Sequence, residues 1–208
     1  MIVTVSLSHY MSLVTQVRMV SFTGSTLIGQ RIAQLTATSM KKVSLELGGK
    51  NAAVIFSDAD LPSAVAGVTR WRTKIFHYQL NILFHDRSAF LNQGEICLCT
   101  SRIFVQRPVY QEFITKFIAS VKTLKVGDPM EEDTFCGAVN SKIHYDKVMS
   151  YIRLAQEDPE ATIHTGEGVT PLSLAPHNRD GFFIQPTIIS GVGDDHRCAV
   201  SKGRLMKF

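Results

Sequence analysis

Short apolar strands, Gly-containing turns and helices alternate along this chain, and that alternation limits the folds open to it more than any other feature. "VRMVSFTGSTLIGQRIAQL" reads as a strand over Met19–Phe22, a Gly-Ser turn and a helix. "KKVSLELGGKNAAVIFSDADL" reads as a strand, a Gly-Gly turn and a second buried strand over Ala52–Phe56. Asp58 or Asp60 then caps a helix starting near Leu61. "SRIFVQ" is again a strand, and "PVYQEFITKFIASVKTLKVGDP" is the clearest helix of the chain. Its Val109, Phe113, Phe117 and Val121 recur at four-residue spacing, with an end expected at Gly127 and Pro129 beyond it. "SKIHYDKVMSYIRLAQE" gives a further helix, and "ATIHTG" and "GFFIQPTII" give strands. The pattern predicts an α/β fold with a largely parallel sheet.

The 208 residues suffice for one substantial domain, or one domain and part of another. With 45% hydrophobic and 19% charged residues, the chain has the composition of a packed globular protein. The net charge is +4 and its basic residues are scattered, which argues against nucleic-acid binding. Apolar runs fall short of the roughly 18 residues that span a membrane. The opening "MIVTVSLSHYMSLVTQV" lacks a basic start and makes a poor signal peptide. Cys97, Cys99, Cys136 and Cys198 are few and irregularly spaced, so free thiols in a reducing, cytoplasmic compartment are expected. A zinc-type spacing is missing, and no metal site is expected.

Three stretches bear on chemistry. Gly24 and Ser25 follow a strand and precede a helix containing Gly29, an arrangement whose backbone N–H groups can cradle a phosphate; it can also be only a turn. In "LELGGK", Glu46 ends an apolar strand before two glycines. An acid among apolar neighbours suits a general base, although a Glu reaching solvent past a tight turn would look the same. In "FLNQGEICLC", Gly94 allows a tight turn before Cys97. A thiol of ordinary pKa near 8.5 is mostly protonated at neutral pH, so a nucleophile needs neighbouring donors or a helix N-terminus. Asn92 could cap a helix containing that thiol, and the Cys97 amide could point at an oxyanion. Cys99 and Cys136 read as small buried groups.

Taken in order, "FTGSTLIG", "LELGGKNA" and "FLNQGEICLCTSR" resemble the aldehyde dehydrogenase superfamily from about Val20 to Cys198. "NQGEICLCTSRIFVQ" and "GEGVTPLSLAPHNRDGFFIQPTII" resemble the branch that acts on 2-aminomuconic semialdehyde in tryptophan breakdown. The resemblance implies NAD-dependent oxidation of a small aldehyde, such as a semialdehyde, to a carboxylic acid through a cysteine thioester. It makes Cys97 the nucleophile and Glu46 the activator of the hydrolytic water. It sets Gly24 and Ser25 by the cofactor's pyrophosphate, Gly29 in close helix packing, and Leu47 and Gly48 at the nicotinamide. The family is homo-oligomeric.

Family members are more than twice this length. The expected organisation is the end of a Rossmann-like cofactor domain over residues 1–46 and a partial catalytic domain over 47–208. The oligomerisation arm and the segment beginning "EIFGP" are not found. Removing the 17 residues 71–87 joins "AGVTR" to "SAFLNQGE" and restores the family's run, so 71–87 reads as an insert and 200–208 as a tail foreign to the family. The rival expectation is an inactive truncated isoform or gene-model fragment, at most associating with full-length subunits. A parallel sheet needs cover on both faces, so poor folding or aggregation is expected of the isolated chain.

Overall fold

The computed structural model describes residues 16–69, 89–193, 195–200 and 206–207. The chain divides into two compact units, residues 1–49 and 50–208. The boundary anticipated between Glu46 and Leu47 therefore falls after Gly49. The reason is pairing: Leu47 is held opposite Gly24 in the first unit's sheet.

The first unit consists of strand β1 (Met19–Gly24), helix α1 (Thr26–Ala37) and strand β2 (Lys42–Leu47), with β1 and β2 parallel. Ser25 caps α1 in extended geometry (φ −70°, ψ 146°), its Oγ accepting from the Ile28 N–H at 3.4 Å. Gly29, Ile32 and Thr36 form the buried stripe of α1, at helical spacing.

The second unit runs β3 (Asn51–Ile55), α2 (Leu61–Thr69), β4 (Thr100–Val105), α3 (Arg107–Val121), α4 (Lys142–Glu157), β5 (Thr162–Thr165), β6 (Ile188–Ser190), α5 (Arg197–Val200) and β7 (Met206–Lys207). Its sheet has the order β3-β4-β7-β6-β5 and is parallel except for the β5–β6 pair. Ile103, Phe113, Phe117 and Ile188 lie in one core cluster, and Ile152, Ile189 and Cys198 in another. Asp60, rather than Asp58, starts α2: its Oδ2 accepts from the Ser63 N–H at 3.0 Å.

Two elements depart from expectation. The helix predicted to reach Gly127 stops at Val121. In a continued helix Leu124 and Val126 would stand about 200° apart, whereas the extended path buries both and lets the Gly127 N–H reach Cys136 O at 3.0 Å. Of "GFFIQPTII" only Ile188–Ser190 is strand. Pro186 cannot donate to a ladder, and its carbonyl instead accepts from Thr165 Oγ1 at 2.9 Å. The expected insert, 71–87, lies outside the described residues. The Ala89 N–H donates to Val68 O at 2.9 Å, so the chain on either side of 70–88 meets at the end of α2. Part of the tail enters the sheet, for Lys207 pairs with Arg102 of β4 and Met206 with Ile188 of β6.

Candidate active site

In the first unit the predicted cofactor residues come together where β1 and β2 end. Gly24 pairs with Leu47, and Thr23 with Glu46. A Cβ on Gly24 would lie 2.6 Å from Phe22 Cζ, and one on Gly29 would lie 2.6 Å from Leu47 Cδ2. Gly29 therefore lets α1 pack closely on β2. Gly48 has open space where a Cβ would stand, as does Gly49. The first turn of α1 carries no acidic residue, which leaves its positive end suited to an anion. Ser25 Oγ is engaged in capping that helix. Glu46 is exposed, so the expected apolar enclosure is not what surrounds it.

Cys97 belongs to the second unit and lies in a turn between a 3-10 segment (Leu91–Gly94) and β4. The expected helix around the thiol is not formed, and Asn92 is not its cap. Asn92 (φ 48°), Gln93 (φ 55°) and Gly94 (φ 74°) are three consecutive left-handed residues, a run that a right-handed helix cannot contain. Gly94 takes that conformation freely and asparagine tolerates it, whereas at Gln93 it costs about 1–2 kcal/mol. A Cβ on Gly94 would also crowd Ala89 O at 3.1 Å. The run reverses the chain sharply and leaves Cys97 exposed, alone among the four cysteines.

The other thiols are buried and donate to backbone carbonyls: Cys99 to Leu91 O at 3.5 Å, Cys136 to Phe90 O at 3.8 Å and Cys198 to Tyr151 O at 3.4 Å. Burial pushes the Cys136 thiol up to about 12 and raises that of Cys198 as well. Neither is poised to ionise.

Contacts beyond the sequence reading also shape this region. Asn51 Nδ2 donates to Cys97 O at 2.7 Å, tying the turn to the start of β3. Glu95 Oε1 lies 3.0 Å from His144 Nε2 on α4. Lys50 Nζ donates to Cys198 O at 3.2 Å, and burial lowers its pKa to about 8, against the opposing pull of Cys198 and with help from Arg102. Lys50 and Asn51 directly follow the "LELGG" motif, so their proximity was available to sequence reasoning. His144 gives no such signal. A cavity of about 230 Å³, lined among others by Val121, Lys125, Thr170 and Gln185, includes none of the predicted site residues. Among the described residues no cluster of three or more His, Cys, Asp or Glu could hold a metal ion. No described helix is long and apolar enough to cross a membrane.

A sequence model of the aldehyde dehydrogenase family matches residues 4–77 and 81–201. This chain belongs to the aldehyde dehydrogenase family. As a member of it, the chain is 45% identical over 183 residues to the 2-aminomuconic semialdehyde dehydrogenase of Mus musculus, covering 88% of this chain and 34% of that protein. It is 36% identical over 192 residues to the 2-aminomuconic 6-semialdehyde dehydrogenase of a Pseudomonas species, covering 92% of this chain and 35% of that protein. The crystal structure of betaine aldehyde dehydrogenase from Staphylococcus aureus in complex with NAD+ is similar, with a TM-score of 0.76 and 30% identity. That match covers 97% of this chain and 36% of the other. The chain thus spans about a third of the length of these family members.

Proposed function

We propose that this chain carries the nucleophile, the hydrolytic base and part of the cofactor cradle of an NAD-dependent aldehyde oxidation. The observation that carries the reading is the exposed Cys97, presented by a left-handed turn while the other three thiols are buried. Cys97 Sγ adds to the aldehyde carbon, forming a C–S bond as the carbonyl oxygen takes up negative charge, and the Cys97 N–H is the donor offered to that oxygen. NAD, when bound, supplies the hydride acceptor that turns this adduct into a thioester. Glu46 then takes a proton from water as the water attacks the acyl carbon, and the thiolate of Cys97 leaves with the acid released.

The fit of the first unit to NAD rests on its own geometry. The acid-free N-terminus of α1, reached through Gly24 and Ser25, suits a pyrophosphate, and the open space at Gly48 suits close approach of a nicotinamide beside Leu47. Gly29 keeps α1 against β2 so that this terminus holds its position. Similarity to the 2-aminomuconic semialdehyde dehydrogenases supports a small semialdehyde as substrate. Reduced thiols in such a chain fit a cytoplasmic setting.

The test of this reading is whether purified chain forms NADH from NAD and a semialdehyde. Cys97→Ser should abolish turnover, and Glu46→Gln should slow acyl release by about 10²–10⁴-fold while leaving the first turnover intact. Absence of turnover by the unmutated chain, with its thiol titrating as free, would sink the enzymatic reading for this polypeptide.

A further inference from the structure

We propose that His144 is a positioning residue for Cys97, acting through Glu95 to hold the turn that presents the thiol. The inference rests on the reading of Cys97 as nucleophile and adds to it a residue 47 positions away, on another element. Glu95 follows directly on the left-handed run Asn92–Gly94 and precedes Cys97 by two residues. Backbone held in a sparsely populated region persists only where its surroundings fix it. The turn is fixed on one side by Asn51 Nδ2, which donates to Cys97 O at 2.7 Å. His144 supplies the other side.

The two ends of the Glu95–His144 contact differ in rigidity. His144 sits on the first turn of α4, where its N–H donates to the capping Ser141 Oγ at 3.3 Å. Met149, Ile152 and Ala155 seat that helix in its core cluster. The imidazole is therefore the fixed end and the Glu95 carboxylate the end that would move. Both side chains are largely covered, at 17% exposure for Glu95 and 25% for His144. Glu95 Oε1 is buried, and Nε2 approaches it at 3.0 Å but off the line of a good hydrogen bond, so the attraction is chiefly one of charge when the ring is protonated. A covered carboxylate oxygen that loses the protonated ring beside it must turn out to water, and it takes the turn with it. Leu98, beside the thiol and 48% exposed, would then fold down and cover Cys97.

The test labels the full chain with iodoacetamide at one pH and reads each cysteine peptide by mass spectrometry, alongside amide hydrogen exchange. His144→Ala and Glu95→Gln should each slow labelling of Cys97 by about threefold or more, and the double variant should be no slower than either single one. His144→Lys, which restores a positive charge towards Glu95, should recover most of the rate, whereas the neutral donor of His144→Gln should recover little. Exchange across residues 91–98 should quicken about tenfold in His144→Ala while that of α3 stays unchanged. Unchanged labelling in both single variants, or losses that add in the double one, would overturn the proposal. So would equal gains in labelling at Cys136 and Cys198, because these would mean that the whole unit had loosened. Labelling needs neither NAD nor aldehyde, so an inactive chain would defeat the enzymatic reading and leave this test intact.

Discussion

At Lys50 burial opposes the charge that lysine ordinarily carries, and its pKa falls from 10.5 to about 8. Between those two values the unfolded chain holds a proton that the folded one has lost. Stability contributed by this group therefore rises with pH across that window and is lowest below pH 8. Cys136 acts in the opposite sense: its thiol moves from 9.0 to about 12, so the unfolded chain loses its proton first and stability falls across that range. Comparing the unmutated chain with Lys50→Met isolates the lysine. The variant should resist urea better near pH 7, and its advantage should shrink between pH 8 and 10.5. An advantage that grew with pH over that interval would refute the assignment. Among the residues of the candidate site, Cys97, Glu46, Gly24, Ser25, Gly29, Leu47 and Gly48 were legible because each lies in a short contiguous motif. Glu95 lay inside one of the same motifs, but its partner His144 did not, and spacing alone cannot pair residues that meet only through the fold.

The elements that position the site take their starts from local chemistry. Ser141 caps α4 in extended geometry (φ −165°, ψ 157°), and Ser25 does the same for α1. Ser141→Ala should cost about 1 kcal/mol, read as a lower urea midpoint with an unchanged slope. A loss below a few tenths would show that packing alone sets the start of α4. The starts of α1 to α4 and the α/β alternation were readable, since caps and apolar spacing act within a few residues; α5 and β7 were not foreseen. Ends were less readable. The close of α3 at Val121 is set by where Leu124 and Val126 find cover, and the shortening of β6 by a proline within an apolar run.

Across the second unit, one face of β3 and β4 is covered by α2 and α3, while on the other Val54 and Phe104 stand opposite each other in register at 57% and 42% exposure. Phe56, at 61%, extends the row, and the Arg102 guanidinium lies 5.8 Å from the Phe104 ring centroid. Parallel sheets usually bury both faces, so this row is expected to drive self-association. Val54→Thr with Phe104→Thr should lower light scattering at a given concentration, and scattering unchanged by the pair would remove the face as its source. The sequence by itself determined the family, the α/β alternation and the motif residues, because helix caps, apolar period and contiguous motifs are properties of neighbours along the chain. Tertiary structure decided that the Cys97 turn is left-handed rather than helical, that Glu46 is exposed, that Cys198 joins Cys99 and Cys136 in being buried and that His144 faces Glu95. Those outcomes depend on which distant segments share a surface, and burial and charge pairing exist only after the chain has closed on itself.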